Sequence, residues 1–195
     1  MSMTGLCDDE LIALTAQKDQ QAFAVLADRY MPQALRFVAK LTGSRDLPDD
    51  IVQDVFFKIW VKAGSFKKRD GAQGNHVKAW IYRLLYNQTI DALRKNKRYV
   101  ALPENYDEFF SADDHKESEL HTLQYQQDVA LGKAMDDLPH SQKAAVMMFY
   151  FDGLSQKDAA ASMGISLSAF EALLFRARAS LKTGCNRLLP EEPKV

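Results

Sequence analysis

The polar and apolar positions between residues 49 and 63 repeat with the period of an α-helix. One face of this helix is apolar and carries Val52, Val55, Phe56, Ile59, Trp60 and Ala63. The opposite face carries Asp50, Gln53, Asp54, Phe57 and Val61. A solvated face rarely places a phenylalanine between carboxylates, so the pattern indicates either a partner surface or a helix buried on both sides. The acidic side chains around an apolar centre favour the partner surface.

A second amphipathic helix is predicted from about residue 77 to residue 95. Its apolar sector contains Ile81, Tyr82, Leu85, Tyr86, Thr89, Ala92 and Leu93. The opposite stripe carries Arg83, Asn87 and Arg94, bordered by Trp80 and Asp91. The Asn87 amide can both donate and accept a hydrogen bond at a base edge. Asn87 is therefore the preferred candidate in this stripe for recognising a base. A tryptophan at a helix start is more often a packing residue.

Residues 154–182 have the pattern of a helix-turn-helix. Ser155 is placed to cap a short helix, with Asp158 three residues later, and Gly164 suits the left-handed turn that follows. Ser166 then begins a second helix, whose inner face is predicted to carry Leu167, Phe170, Leu174, Ala177 and Leu181. Its outward residues are Ser168, Ala169, Ala172, Phe175 and Arg176, with Arg178 and Lys182 at the flank. These positions suit a major groove, although a helical hairpin without DNA has the same pattern.

Charge is unevenly distributed along the chain. The 195 residues carry a net charge of −1, yet residues 58–98 contain eleven Lys or Arg against two acids. Phe66, Trp80, Tyr82, Tyr86 and Tyr99 are interleaved with these cations. Cations attract phosphates and aromatic rings stack on exposed bases, so the mixture favours nucleic acid over a plain solvated face.

An acidic segment separates the basic block from the helix-turn-helix. Residues 104–119 hold seven carboxylates and one lysine, without a sustained apolar period. We predict an all-α fold of two small helical domains, 1–99 and 125–195, joined by a flexible acidic linker at 100–124. Some 25 residues extend to roughly 80 Å at about 3.3 Å each, and two turns of DNA span about 70 Å. The linker therefore permits two DNA-reading domains, although a solvated spacer would have this composition too.

Several function classes lack support in the sequence. Cys7 and Cys185 form no paired motif and suit a reducing cytoplasm, and the four histidines are scattered, so we expect no metal and no cofactor. There is no phosphate-binding loop or nucleophile elbow, and we therefore expect no enzyme. No apolar run approaches a membrane span, and the first residues do not form a signal peptide, so we expect no membrane insertion.

These motifs resemble those of bacterial sigma factors of the extracytoplasmic-function group. Residues 11–30, with Gln21-Ala22-Phe23, resemble the first helices of that family, and residues 48–56 resemble its polymerase-binding motif. Residues 79–83, followed by Asn87 and Asp91, resemble the helix that reads the −10 promoter element. Residues 137–139, Gln142 and residues 153–155 resemble the domain that reads the −35 element.

The resemblance implies a function and a set of site residues. Contacts to core RNA polymerase would fall on Asp50, Gln53 and Asp54, with Phe57 on the same face. A −10 base of the melted strand would be captured at a loop before the basic helix. The −10 candidates are Phe66, Lys67, Lys68, Arg69, Lys78, Trp80, Arg83, Asn87 and Arg94. The −35 candidates are Ser166, Ser168, Ala169, Glu171, Ala172, Phe175, Arg176 and Arg178.

The sequence departs from the family pattern in two places. The loop between Phe66 and Trp80 looks several residues longer than is typical. Many relatives carry basic residues where this chain has Glu171 and Leu173. Because a carboxylate repels phosphates, Glu171 is expected to read a cytosine amino group or to pair with a neighbouring arginine.

The resulting hypothesis is a cytoplasmic initiation factor that binds core RNA polymerase and promoter DNA and melts the −10 element. The family resemblance adds an anti-sigma factor as a partner, in a stress or envelope response. Two alternatives remain: a conventional regulator with a C-terminal helix-turn-helix, and an adaptor that mimics a sigma factor without contacting DNA. The promoter sequence, the inducing signal and the particular anti-sigma protein do not follow from the residues.

Overall fold

A computed structural model describes residues 3–44, 47–67, 76–96 and 119–188, and all regular structure within these ranges is helical. The α-helices are α1 (Asp8–Ala16), α2 (Gln20–Thr42), α3 (Leu47–Lys62), α4 (His76–Asn96), α5 (Glu119–Asp136), α6 (His140–Val146), α7 (Gln156–Met163) and α8 (Leu167–Leu188). Short 3-10 turns lie at Met3–Gly5 and Ala63–Ser65, and Met147–Phe151 forms a π-helical turn. The predicted all-α class is confirmed.

Local sequence signals explain where the helices begin and end. The Asp19 side chain accepts hydrogen bonds from the backbone N–H groups of Gln21 and Ala22 at the start of α2. Gly43 ends α2 in the left-handed region, with φ +61°. A glycine adopts this conformation without the steric cost that a Cβ would add. These two signals mark the start and the end of α2, a helix of 23 residues in the N-terminal half.

The N-terminal half, α1–α4, packs around the inner faces of α2, α3 and α4. Phe37 of α2 meets Tyr82 of α4 edge to face, with ring centroids 5.2 Å apart, and both side chains are buried. Asp8 anchors α1 to α2 by accepting from Arg29 and from the Tyr30 hydroxyl. The apolar faces predicted for α3 and α4 are therefore the faces that enter the core.

The C-terminal half, α5–α8, contains the predicted helix-turn-helix. Phe170, Leu174 and Ala177 of α8 are buried as predicted, but Leu167 is 44% exposed. The inward position predicted for Leu167 is wrong, because the buried face of α8 begins only at Phe170, three residues after the helix start. The helix also continues beyond Lys182, to Leu188.

The two halves pack directly on one another. Helix α4 lies against α7, and one continuous apolar core contains buried residues of both halves. Helix α5 begins at Glu119, so the end of the segment predicted as linker is helical. The rest of the predicted acidic linker, up to residue 118, lies outside the described residues.

Candidate protein and nucleic-acid interfaces

The outer face of α3 is exposed at every position proposed for polymerase binding. Asp50, Gln53, Asp54 and Phe57 are all exposed, and Phe57 has 66% of its surface open to solvent. The inner residues Val52, Val55, Phe56 and Ile59 are buried. Among the described residues α3 is therefore buried on one side only, which leaves an apolar group framed by carboxylates facing solvent.

An apolar groove of about 620 Å³ runs between α2 and α3. Phe57, Gln53 and Asp49 line its α3 side, together with Val52, Phe56 and Trp60. Helix α2 supplies Gln20, Phe23, Ala27, Met31 and Leu35. These α2 residues were not among the site residues predicted from the sequence. Their apolar stripe, with i, i+4 spacing from residue 23 to residue 35, was the available signal.

Aromatic packing shapes the floor of this groove. Phe23 contacts Trp60 with ring centroids 5.2 Å apart and Phe56 at 6.5 Å. Lys18 also contacts Trp60. Its ammonium donates a hydrogen bond to the Trp60 carbonyl at 2.6 Å and lies 5.0 Å from the centroid of the indole ring. The groove is thus formed by packed rings, with Met31 39% exposed at its edge.

A polar chain connects the acidic face of α3 to α4. Lys58 donates to the side-chain oxygen of Gln88, and the Gln88 amide donates to an Asp54 carboxylate oxygen at 3.3 Å. This contact fixes the orientation of one proposed polymerase-binding residue from the neighbouring helix. Gln88 is a positioning residue that periodicity alone did not identify, because its role depends on which helix lies beside α3.

The basic stripe of α4 faces solvent as predicted. Arg83, Asn87 and Arg94 are exposed, whereas Ile81, Tyr82, Leu85 and Thr89 are buried. Arg94 forms an exposed ion pair with Asp91 at 3.8 Å, one turn away on the same helix. One exposed face of α4 therefore carries the guanidinium groups of Arg83 and Arg94 and the amide of Asn87.

The other −10 candidates occupy different environments. Phe66 and Trp80 pack edge to face with centroids 5.7 Å apart, which places a small aromatic pair at the start of α4. Lys67 is exposed, but the Lys78 ammonium donates to the Asp152 carbonyl in the C-terminal half. Lys68 and Arg69 lie outside the described residues. In this arrangement Lys78 therefore faces protein.

The helix-turn-helix has the predicted local geometry. Ser155 accepts from the Asp158 backbone N–H at 3.1 Å, and Gly164 ends α7 with φ +69°. Helices α7 and α8 meet at an angle of 101°, within the range of this motif. Ser166 accepts from the Ala169 backbone N–H at 3.2 Å and exchanges a hydrogen bond with Ser168 at 3.1 Å.

The outer face of α8 contains the −35 candidates in a continuous exposed row. Every one of them is exposed: Ser166, Ser168, Ala169, Glu171, Ala172, Phe175, Arg176 and Arg178. Phe175 is 75% exposed, so this row includes a large aromatic side chain that is open to solvent. The Arg178 side chain contacts Tyr150. Its guanidinium donates to the Tyr150 hydroxyl and lies 5.4 Å from the centroid of that ring.

Asp152 is a buried carboxylate between the two halves. Burial raises its pKa, while the Tyr82 hydroxyl, Lys78 and Arg36 act in the opposite direction. Burial also raises the pKa of Tyr82, and the nearby Asp152 carboxylate adds to that effect. Within the described part of the chain, one Asp152 oxygen and the Tyr82 hydroxyl lack a hydrogen bond of good geometry.

The described residues contain no group of three or more His, Cys, Asp or Glu placed to hold a metal ion. Cys7 and Cys185 are free thiols. No single helix in the described ranges is long and apolar enough to cross a membrane, and α7 with α8 reaches that length only as a sharply bent pair.

Comparison with known proteins relates both halves to one family. Residues 26–99 match the family described as Sigma-70 region 2, and residues 128–181 match Sigma-70, region 4. The chain is 28% identical over 165 residues to the ECF RNA polymerase sigma factor SigM of Bacillus subtilis, covering 84% of this chain and 94% of that protein. It is 29% identical over 160 residues to the ECF RNA polymerase sigma factor RpoE of Cereibacter sphaeroides, covering 82% and 83%.

The fold is similar to a solved sigma factor. The sigma factor RpoE from Bartonella quintana, solved in complex with the anti-sigma factor NepR, superposes with a TM-score of 0.66. The alignment covers 84% of this chain and 96% of that one at 24% identity.

Proposed function

The chain belongs to the sigma-70 family, in its extracytoplasmic-function group, and from this premise we propose that it directs core RNA polymerase to a restricted set of promoters. The observation that carries the proposal is the order of two matched regions, 26–99 and 128–181, each with one exposed face suited to a partner. Catalysis of RNA synthesis then belongs to the polymerase. The chain acts in the cytoplasm as a specificity subunit and is not itself an enzyme.

The outer face of α3 and the adjoining groove form the proposed polymerase surface. Phe57 and Met31 expose apolar area to solvent. The exposed side chains of Asp50, Gln53 and Asp54 surround it with hydrogen-bond acceptors. An apolar centre with a polar rim is the arrangement of protein interfaces that form and separate. A partner helix with basic side chains and an apolar ridge would match this surface in shape and charge.

The exposed stripe of α4 is the proposed surface for the melted −10 strand. Arg83 and Arg94 are exposed and can pair with phosphates, and the Asn87 amide, exposed between them on the same helix, can donate and accept at a base edge. Phe66 and Trp80 supply aromatic faces on which an extruded base would stack. Unpairing a base costs a few kcal/mol, so stacking and hydrogen bonds at this site must offset that cost.

The outer row of α8 is the proposed −35 surface. Ser168, Ala169 and Ala172 are small enough to let the helix enter a major groove, and Phe175 suits contact with a thymine methyl group. Arg176 supplies an exposed cation and Glu171 an exposed carboxylate on the same helix. Arg178 is a weaker candidate for base contact because Tyr150 already holds its guanidinium.

An anti-sigma protein is the proposed inhibitor. The sigma factor RpoE from Bartonella quintana, which has a similar fold, has been solved with an anti-sigma factor, and the apolar groove between α2 and α3 is a surface that a second protein can cover. An anti-sigma protein seated there would exclude core RNA polymerase by direct competition.

Transcription in vitro with purified core RNA polymerase tests the proposal. Adding the full chain should produce promoter-specific transcripts from genomic templates that core enzyme alone does not produce. The Asp50→Ala, Gln53→Ala double variant should bind core enzyme about tenfold more weakly, because two exposed acceptors are lost. Asp28→Ala, which removes an exposed carboxylate of α2 outside the groove, is the matched control. Transcripts that do not depend on the chain would refute the proposal.

A further inference from the structure

The backbone of Lys18 lies in the left-handed region, which favours glycine. Among the residues that the structure describes, Lys18 is the one non-glycine residue with a positive φ, at 68°. The Lys18 N–H donates to the Thr15 carbonyl at 2.9 Å, and the Asp19 N–H donates to the Leu14 carbonyl at 3.1 Å. These two bonds form a Schellman motif at the end of α1, whose left-handed residue is usually glycine. The Cβ of Lys18 therefore adds a steric cost that glycine would not have.

The residue after Lys18 fixes this conformation from the other side. The Asp19 side chain caps α2, where it accepts from the backbone N–H groups of Gln21 and Ala22 at 2.9 and 3.0 Å. Lys18 thus lies between the end motif of α1 and the cap of α2. A move of its backbone to negative φ would disrupt both. Unfavourable backbone conformations persist where the surrounding structure fixes them, and they cluster at functional sites.

The Lys18 side chain contacts the end of α3. Its ammonium donates to the Trp60 carbonyl at 2.6 Å. That carbonyl is one of the last four of α3, which lack a partner within the helix and carry the negative end of the helix dipole. The ammonium also lies 5.0 Å from the centroid of the indole ring, within range of a cation–π contact. One side chain therefore contacts both the backbone and the ring of Trp60.

Trp60 connects Lys18 to the groove between α2 and α3. The Trp60 ring lines this groove and packs on Phe23 of α2, with ring centroids 5.2 Å apart. Phe57 lines the same groove, whereas Lys18 does not. A change at Lys18 can therefore alter the groove by changing the position of the Trp60 ring.

We propose that Lys18 is a positioning residue for the polymerase surface, because its ammonium keeps the Trp60 ring packed on Phe23 before a partner binds. This inference rests on the proposed function for the identity of the partner as core RNA polymerase. A groove whose rings are already in place loses less conformational freedom on binding, which strengthens affinity. Glycine at position 18 would remove the steric cost and the ammonium together, so the lysine favours binding over the local backbone preference.

The expected effect follows from the two contacts of the ammonium. Each contact of this kind shifts an equilibrium by about twofold to tenfold at an exposed site. The apparent Kd is the intrinsic Kd divided by the fraction of molecules that are competent to bind. We expect removal of the ammonium to weaken binding to core enzyme by about threefold to tenfold.

Two substitutions at this position separate binding from stability. Lys18→Met keeps a side chain in the left-handed conformation, whereas Lys18→Gly removes the steric cost, and both remove the ammonium. The thermal midpoint of Lys18→Gly should be about 2–4 °C above that of Lys18→Met. Both should lose core affinity to the same extent, measured by anisotropy of the labelled full chain. Wild-type affinity in Lys18→Gly, with a loss in Lys18→Met alone, would show a merely structural role and overturn the proposal.

Lys62→Met is the matched control for charge. Lys62 is exposed in the last turn of α3 and does not line the groove, so this substitution removes the same charge from the same helix end. Its core affinity should stay within about twofold of the wild type, as for a residue outside the interface. A loss equal to that of Lys18→Met would assign the effect to net charge and overturn the proposal.

A double-mutant cycle with Trp60→Leu tests whether Lys18 acts through Trp60. In the Trp60→Leu background, Lys18→Met should produce almost no further loss of core affinity, because the ring that the ammonium positions is absent. Fully additive losses would mean that the ammonium contacts the polymerase directly, and they would overturn the proposal. If Trp60→Leu does not melt cooperatively, the comparison of Lys18→Gly with Lys18→Met decides.

Fluorine NMR of the free full chain tests the contact without polymerase. The chain has two tryptophans, Trp60 and Trp80, so labelling with 5-fluorotryptophan should give two resonances. Lys18→Met and Lys18→Gly should shift and broaden the Trp60 resonance and leave that of Trp80 unchanged, with no change in Lys62→Met. An unchanged Trp60 resonance would overturn the positioning role. If the wild type does not bind core RNA polymerase, the proposed function fails, whatever the Trp60 resonance shows.

Discussion

Replacing Phe57 by alanine should weaken binding to core RNA polymerase while leaving the stability of the free protein nearly unchanged. The ring is 66% exposed, so the folded chain gains little from it. Full burial of a phenylalanine removes about 150–250 Å² from water, and two thirds of that leaves about 130 Å² for a partner to cover. At about 25 cal/mol per Å² the contact is worth up to about 3 kcal/mol, or roughly a hundredfold in Kd.

The assay is a titration of labelled full-length protein with core RNA polymerase at fixed salt, followed by fluorescence anisotropy. We expect Phe57→Ala to lose between about tenfold and a hundredfold in affinity, which corresponds to about 1.4–2.7 kcal/mol and lies within the bound of about 3 kcal/mol set by the buried area. Its thermal midpoint should move by less than about 2 °C, because surface substitutions change stability by about 0.5 kcal/mol or less.

Val61→Ala is the matched control for this substitution. Val61 is exposed at the C-terminal end of the same outer face, four residues beyond Phe57, but it does not line the groove. Its affinity for core enzyme should stay within about threefold of the wild type, as expected for a residue at the rim of an interface. An unchanged Kd for Phe57→Ala would refute the argument that the groove between α2 and α3 receives the polymerase.

Three further predictions address the DNA surfaces and the buried carboxylate. Asn87→Ala should weaken binding to a matched −10 strand by about 1–3 kcal/mol in an anisotropy titration; an equal loss on a scrambled strand would argue against base reading. Phe175→Ala should retain the wild-type melting midpoint and lose transcription from promoters that depend on the −35 element; unchanged transcript levels would count against this contact. Asp152→Asn should raise the thermal midpoint near pH 7, because burial raises the pKa of Asp152 and folding is penalised while that carboxyl is charged. The penalty is absent below the ordinary carboxyl pKa and grows as pH rises through the raised value, so the gain should vanish as pH falls toward 4; a gain independent of pH would contradict this cause.

The helix faces were predictable because helical periodicity is a local property. Successive residues lie about 100° apart around a helix, so residues three or four positions apart share a face whatever lies beside it. The exposed positions of Asp50, Gln53 and Phe57 therefore followed from spacing alone. The cap at Ser155 and the left-handed turn at Gly164 were predictable for the same reason, since each depends on a few neighbouring residues.

Contacts between distant segments were not predictable in this way. Periodicity identifies the apolar stripe of α2 but does not say that α3 lies beside it, so the groove and its Phe23 and Met31 were missed. Leu167 has the spacing of an inner residue, yet it is 44% exposed, whereas Phe170 three residues later is fully buried. Arg178 and Lys78 carry the charge expected for DNA contacts, but each side chain is held by a residue far along the chain.

The sequence by itself determined the family, the helical class and the exposed faces of α3, α4 and α8. Tertiary structure alone decided that the two halves close on one another, with Ser162 bonded to a carbonyl 83 residues earlier in the chain. The physical reason is that a helix face is set by the spacing of neighbouring residues, whereas the partner of that face is set by the packing of the whole chain. The same α4 surface that sequence assigns to DNA is therefore partly covered by α7 in the folded protein.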